Sequence, residues 1–376
     1  MKVGLITYHS AYNFGSVLQA YATQEVIREI AGNCEIINYR TQEQRRVYAI
    51  FTWAKGANLF KSLAKNALIL PSWNQRRKRA QKYEACINKL FSLSQECKSP
   101  AEVYDMWNQY DAIVSGSDQI WNKHSKELHF APWENMNPYL LHGYFGKKVS
   151  YASSTANMTD EELNRIIPDI DQFDFVSVRE KATADRLRAM CAVDIANVLD
   201  PTFLLTKREW MEQFNLSENQ SEDYVLYYAL NSRRELKKTQ AFLREYAQKE
   251  GIKVKMIAPL GAMHSSKEVE VLNDVDPIAF LNYILNARRV ITDSYHGTIL
   301  SVNFNKDVYS ICGQNVSDFR KTDILTRIGM QDRIITNVEH FNRIQHECID
   351  YEQVNSKLNQ YRKSSYEYLK NALLQG

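Results

Sequence analysis

No stretch of this 376-residue chain approaches the roughly 18 consecutive apolar residues that a membrane-spanning helix needs. Charge of one sign is not in excess either: 47 Lys and Arg stand against 44 Asp and Glu, a formal net charge of +3. So even a balance provides no global field to recruit nucleic acid, and no nucleic-acid partner is expected. The six cysteines (Cys34, Cys86, Cys97, Cys191, Cys312, Cys348) form no CxxC pair and no zinc-ligand spacing. A dithiol redox motif and a zinc ribbon are thereby excluded, no metal is expected, and the thiols read as free in a reducing cytoplasm. Glycine is sparse, at 13 residues. Neither GxGxxG nor GxxxxGK[ST] occurs, so dinucleotide and P-loop cofactors lose ground. The opening "MKVGLITY" reads as a strand rather than a targeting leader.

What is present is the pattern of a globular α/β protein. Short β-branched runs alternate with helical patterns: "KVGLITY", "CEIINY", "DAIVSGS", "KKVSYASS", "DFVSVRE" and "VDIANVLD". After a polar stretch near 215–223 the pattern restarts with "YVLYYAL", "KVKMIA", "RRVITDS" and "DVYSIC". Alternation of this kind implies βαβ units on parallel sheets, and the length implies two domains. The expected division is an N-terminal α/β lobe over 1–215, with a basic and aromatic helical insertion at about 45–100, and a C-terminal α/β lobe over 216–376. A terminal amphipathic helix is expected over 350–372. Within the insertion, residues 45–85 join aromatics to "RRKR". That mixture reads either as a solvated helical insertion or as an interfacial helix for peripheral membrane contact.

Four polar clusters follow apolar runs, where a parallel sheet gathers its ligands. "TYHSAYNFGSVLQA" supplies His9, Asn13, Gly15 and Ser16 ahead of a helix beginning near Gly15. "VSGSDQIWN" supplies Ser117, Asp118, Gln119 and Trp121. Asp118 suits either a base that orients a hydroxyl or a helix N-cap, and Trp121 either packing or a wall for a sugar ring. "FVSVREKAT" supplies Arg179, a planar cation fitted to carboxylate or phosphate, or to an ion pair with Glu180 or Asp200. "RRVITDSYHGTILSVNF" supplies Asp293, Ser294, His296, Gly297 and Thr298, with a helix start after the glycine whose N–H groups would suit an anion. A histidine there can move a proton on an anionic substrate, or be structural.

Taken together, "ITYHSAYNFGSVLQAYATQ", "IVSGSDQIWN", "VSVREK" with "VLDPTFLL", and "VITDSYHGTILSVNF" resemble the polysaccharide pyruvyl transferase family in content and order, over about residues 3–305. The resemblance implies two Rossmann-like lobes of the glycosyltransferase-B architecture, with a C-terminal helix crossing back to the first lobe and the ligand in the cleft between lobes. It also implies transfer of a pyruvyl group from phosphoenolpyruvate to two hydroxyls of one sugar in a bacterial surface polysaccharide precursor. The products are a cyclic ketal and phosphate, and no cofactor is needed beyond the donor substrate. His296 is then the candidate acid and Asp118 the weaker candidate for activating the acceptor. Arg179, Ser294, Gly297 and Thr298 would bind the donor. His9, Asn13, Gly15, Ser16, Ser117, Gln119, Trp121 and Asp293 would line the acceptor side or cleft. The partners implied are phosphoenolpyruvate and a sugar acceptor, free or carried on a lipid diphosphate at the inner face of the cytoplasmic membrane. Some relatives carry arginine where this chain has Ser294, with Arg288, Arg289 and Arg320 as candidate substitutes. A nucleotide-sugar glycosyltransferase or a non-catalytic glycan-binding protein are the alternatives on such a fold.

Overall fold

The computed structural model describes residues 1–51, 66–67, 69–219, 222–230, 233–258, 264–313, 318–338, 340–343 and 348–375. The chain divides into two compact units: Met1–Tyr48, Ala85–Leu205 and Ser356–Gly376 form the first, Ala49–Glu84 and Thr206–Asn355 the second.

The first unit is built on a parallel sheet of order β2-β1-β3-β4, with β1 at Val3–Ile6, β2 at Cys34–Ile36, β3 at Ala112–Ser115 and β4 at Lys147–Ser150. Val3 pairs with both Cys34 and Ala112, and Ala112 with Lys147, so the carboxyl ends of all four strands lie at one edge. A second parallel pair, β5 (Val176–Val178) and β6 (Ile195–Asn197), continues the sheet through the bridges Val149 to Phe175 and Ser153 to Val178. The residues of β1 and β3 are buried throughout, as expected for central parallel strands covered on both faces. Helix Phe14–Ala31 follows β1; Asn13 Oδ1 accepts from the Gly15 N–H and caps it.

The second unit is a six-stranded parallel sheet of order β12-β11-β10-β7-β8-β9. Its strands are β7 (Tyr224–Tyr228), β8 (Lys253–Ile257), β9 (Val269–Leu272), β10 (Arg289–Thr292), β11 (Asp307–Ile311) and β12 (Ile334–Ile335). Both sheets therefore reverse direction once, between β1 and β3 in the first unit and between β7 and β10 in the second. In doubly wound sheets that reversal sends the following helices to opposite faces and opens a crevice at the strand carboxyl ends.

The terminal helix spans Tyr351–Leu374 and begins in the second unit, where the Tyr351 hydroxyl donates to the Lys306 carbonyl. Its remainder belongs to the first: Ser365 Oγ accepts the Leu199 N–H, and the Tyr368 hydroxyl donates to the Ser150 carbonyl. The expected return of this helix to the first lobe is what the chain does. Two boundaries differ from expectation. The first unit closes its second segment at Leu205 rather than 215, and residues 49–84 go with the second unit, where Lys82 Nζ donates to the Asp274 carbonyl at 2.8 Å. Part of the 45–85 expectation, residues 52–65 and 68, lies outside the described residues; helix Trp73–Leu90 carries the basic remainder.

Gly116, just past β3, has φ +134, and a Cβ built on it would stand 2.0 Å from the Tyr151 carbonyl oxygen. That neighbour is backbone and cannot rotate away. Gly116→Ala should destabilise by about 3 kcal/mol or more, whereas Gly143→Ala, also at positive φ but with nothing within 4 Å, should cost about 1 kcal/mol. Denaturant unfolding of both variants checks the difference.

Candidate functional site

Each unit places one aspartate across its crevice. In the first, Asp118 follows β3 at φ +75, a left-handed conformation that Asp tolerates better than most residues. Its Oδ2 accepts from Ser16 Oγ at 2.7 Å, at the start of the helix after β1, and its Oδ1 accepts from the Gln119 N–H at 2.8 Å. Arg179, the first residue after β5, brings its guanidinium to the same carboxylate: Nη2 lies 3.6 Å from Asp118 Oδ1. The same guanidinium meets two further acids, Nε to Glu180 Oε1 at 2.9 Å and Nη1 to Asp200 Oδ2 at 3.0 Å. The Arg179 side chain is 1% exposed and that of Asp200 0%. One cation thus holds three carboxylates in a nearly dry setting. Even so, among the described residues no group of His, Cys, Asp and Glu is arranged to hold a metal ion.

A fourth carboxyl lies beside this group and was not legible from the motifs. Glu127 accepts from the Tyr48 hydroxyl; burial pushes its carboxyl up, the Tyr48 bond opposes that, and the Asp118 charge adds to the rise. Tyr8 belongs to the same polar layer, with its hydroxyl 2.9 Å from Ser125 Oγ and its own ionisation suppressed first by burial.

In the second unit Asp293 follows β10, and both its oxygens receive the Leu230 N–H, at 2.8 and 3.1 Å, from the segment after β7. Burial pushes its carboxyl up to about 6; the Leu230 N–H and Lys321 pull the other way and Asp318 adds to the rise. Lys321 is 2% exposed, and its Nζ donates to the Asp293 carbonyl at 2.7 Å and pairs with Asp318 at 2.9 Å. Helix Tyr295–Asn303 starts at once: Ser294 is the N-cap and its Oγ accepts the Gly297 N–H. His296 is buried in the first turn, its ring edge-on to Tyr295 with centroids 5.1 Å apart. Arg320 lies over the other aromatic surface of this turn, 5.4 Å from the Tyr295 ring centre.

The expected site residues divide accordingly. Asn13, Gly15, Ser16, Ser117, Asp118, Gln119 and Arg179 gather at the crevice of the first unit, and Asp293, Ser294, His296, Gly297 and Thr298 at that of the second. His9 is fully buried beneath the first group, its Nε2 bonded to Asn38 Oδ1 at 3.0 Å. Trp121 is also fully buried; its indole N–H donates to the Tyr139 carbonyl and its ring packs edge-on to Phe173, so it offers no face to a sugar. Arg179 takes the ion-pair alternative with Glu180 and Asp200. The helix of the second unit begins before Gly297, so the Gly297 and Thr298 N–H groups are taken by Ser294 Oγ and the Ser294 carbonyl. Arg288 and Arg289 stand at the amino end of β10, paired with Asp223 and Asp307, away from the motif. Lys321 was missed because nothing in its own neighbourhood marks it; only the fold brings it beside Asp293.

A family model described as polysaccharide pyruvyl transferase matches residues 13–311. No curated protein matches the chain. Among solved structures, UDP-GlcNAc 2-epimerase of Methanocaldococcus jannaschii in complex with UDP-GlcNAc and UDP is similar at 12% identity and TM-score 0.52, over 97% of this chain and 100% of that one. The Staphylococcus aureus MnaA–UDP structure ("S. aureus MnaA-UDP co-structure") is similar at 10% identity and TM-score 0.50, over 99% and 91%. At such identities the likeness speaks to the fold: two Rossmann-like lobes of the glycosyltransferase-B kind.

Two outcomes follow from the electrostatics. Arg179→Met leaves three buried carboxylates without their common cation and should cost about 3–5 kcal/mol, measured by denaturant unfolding. For Asp293 the folded value of about 6 lies above the ordinary 3.8, so the folded state holds the proton more tightly and stability falls as pH rises from about 4 to 6. Asp293→Asn keeps an acceptor and removes the charge. Relative to the parent it should gain on the order of 2 kcal/mol in stability between pH 4 and pH 7, and a difference that stays flat with pH would contradict the burial of the charge.

Proposed function

The chain belongs to the polysaccharide pyruvyl transferase family, and from that premise we propose that it moves a pyruvyl group from phosphoenolpyruvate onto two hydroxyls of one sugar, releasing phosphate and leaving a cyclic ketal. The observation that carries the reading is a buried histidine in a capped helix turn at the switch point of the second unit, with the cation Arg320 beside that turn. A dianionic or trianionic donor calls for such charge, and protonation of its enol phosphate methylene calls for a positioned general acid.

In this reading the first sugar hydroxyl attacks the donor carbon that bears phosphate. A C–O bond forms, the methylene takes a proton from His296 and becomes a methyl group, and the hydroxyl proton passes to a carboxylate, for which Asp118 is the candidate. The second hydroxyl then forms the second C–O bond as the C–O bond to phosphate breaks, and its proton leaves with the departing phosphate. Arg179 acts through Asp118: its three acidic partners fix the guanidinium, and the guanidinium in turn fixes the carboxylate. A direct contact of Arg179 with the donor would require one of those carboxylates to yield. Among the described residues no helix is long and apolar enough to cross a membrane.

The reaction class is tested by isotope. Run in heavy water, ketal formation should place one deuterium in each product methyl, whereas transfer of a sugar from a nucleotide donor introduces none. His296→Asn should lower turnover by ~10²–10⁴-fold, the range for losing a general acid, with donor affinity changing much less. Intact turnover in that variant would make the histidine structural.

A further inference from the structure

A cavity of 540 Å³ in the first unit, lined by Arg40, Gln42, Arg45, Glu96 and Lys98, has no part in the chemistry above. We propose that it is a subsite for a sugar phosphate, whose phosphate meets the three cations and whose hydroxyls meet Gln42 and Glu96.

The groove is half open, and its volume exceeds what one phosphate fills, so it has room for a body beside the charge. The lining holds three cations against one carboxylate, 3 − 1 = +2, which selects an anion. Arg40 is a built element rather than a surface side chain: it is 8% exposed, its own N–H donates to the Cys97 carbonyl at 2.8 Å, and its Nε donates to Asn38 Oδ1 at 3.0 Å. Arg45 pairs with Glu96, and Lys98 Nζ stands 3.9 Å from the other oxygen of that carboxylate. Glu96 therefore steers two cations into place while keeping acceptor capacity for hydroxyls.

The cavity is also connected to the crevice. Asn38 Oδ1 accepts from Arg40 Nε and lies 3.0 Å from His9 Nε2; His9 Nδ1 lies 3.2 Å from the Thr7 carbonyl, and Thr7 Oγ1 donates to the Ser117 carbonyl at 3.0 Å, next to Asp118. A buried run of polar contacts thus extends from Arg40 to the Ser117 carbonyl, one residue before Asp118.

The inference deepens the reading of a sugar acceptor and rests on it. The test is equilibrium binding to the full chain without phosphoenolpyruvate, using glucose 1-phosphate, inorganic phosphate and glucose as probes. Glucose 1-phosphate should bind and raise the unfolding temperature, phosphate should bind more weakly, and glucose should have no effect. Arg45→Gln and Lys98→Gln alter exposed side chains and should each weaken glucose 1-phosphate about tenfold, as for one charge-assisted hydrogen bond. The proposal is overturned if glucose 1-phosphate does not bind, if both variants bind it as the parent does, or if phosphate alone binds equally well. Failure of the heavy-water experiment with this binding intact would reject the donor chemistry and leave the subsite standing.

Discussion

A parallel sheet whose strand order reverses must part its covering helices, and the crevice so opened has to be closed by something short, polar and rigid. In both units that is an aspartate one to three residues past the later strand, tied to the segment that follows the earlier one: Asp118 to Ser16, Asp293 to Leu230. The two carboxylates answer the same geometric demand in different electrostatic settings. Asp118 shares a cation with Glu180 and Asp200, whereas Asp293 faces burial, with Lys321 committed partly to Asp318. The first setting ties its carboxylate to a shared cation, and the second raises its carboxyl to about 6 by burial.

Behind Asp118 and Arg179 the strand ends are lined by hydroxyls. Ser150 Oγ donates to Ser177 O and Ser177 Oγ to Ser150 O, both at 2.9 Å; Ser153 Oγ donates to Ser115 O at 3.1 Å, and Ser154 Oγ to Glu180 Oε1 at 2.8 Å. Where parallel strands diverge, backbone carbonyls lose their ladder partners, and small hydroxyl side chains replace those bonds without bulk. The layer also supports the acidic group, since a buried carboxylate needs several donors to stay charged. Serine in "VSYASS", "VSGS" and "VSVRE" is thus a structural requirement of the site as much as a chemical one.

The ten apolar runs visible in the sequence are all strands, because buried parallel strands leave continuous β-branched segments. Among the described residues two further strands were not legible. β9 alternates buried Val269 with exposed Glu270 at a sheet edge, and β12 is only two residues long. The helix start near Gly297 was misplaced for a physical reason: the glycine looks like a break, yet it lies inside the first turn because a Cβ there would meet Thr292 Oγ1 at 2.6 Å. It marks close packing of helix on strand rather than the end of one element. Partners distant in sequence, such as Ser16 with Asp118 or Lys321 with Asp293, carry no local signal and become visible only through the fold.

Serine at 294 separates two tasks that one residue cannot combine. An arginine at that position would bring charge but no short oxygen to cap the turn, whereas Ser294 takes the Gly297 N–H through its side chain and the Thr298 N–H through its carbonyl. Charge is supplied instead by the next helix, Phe319–Ile328. Lys321 is spent on carbonyls and Asp318, so it stiffens the turn more than it attracts an anion. Arg320, partly exposed and stacked over Tyr295, keeps its planar cation beside the histidine turn. The turn's geometry and its electrostatics are thereby held by different elements, and a change to Arg320 alters the second while leaving the first in place.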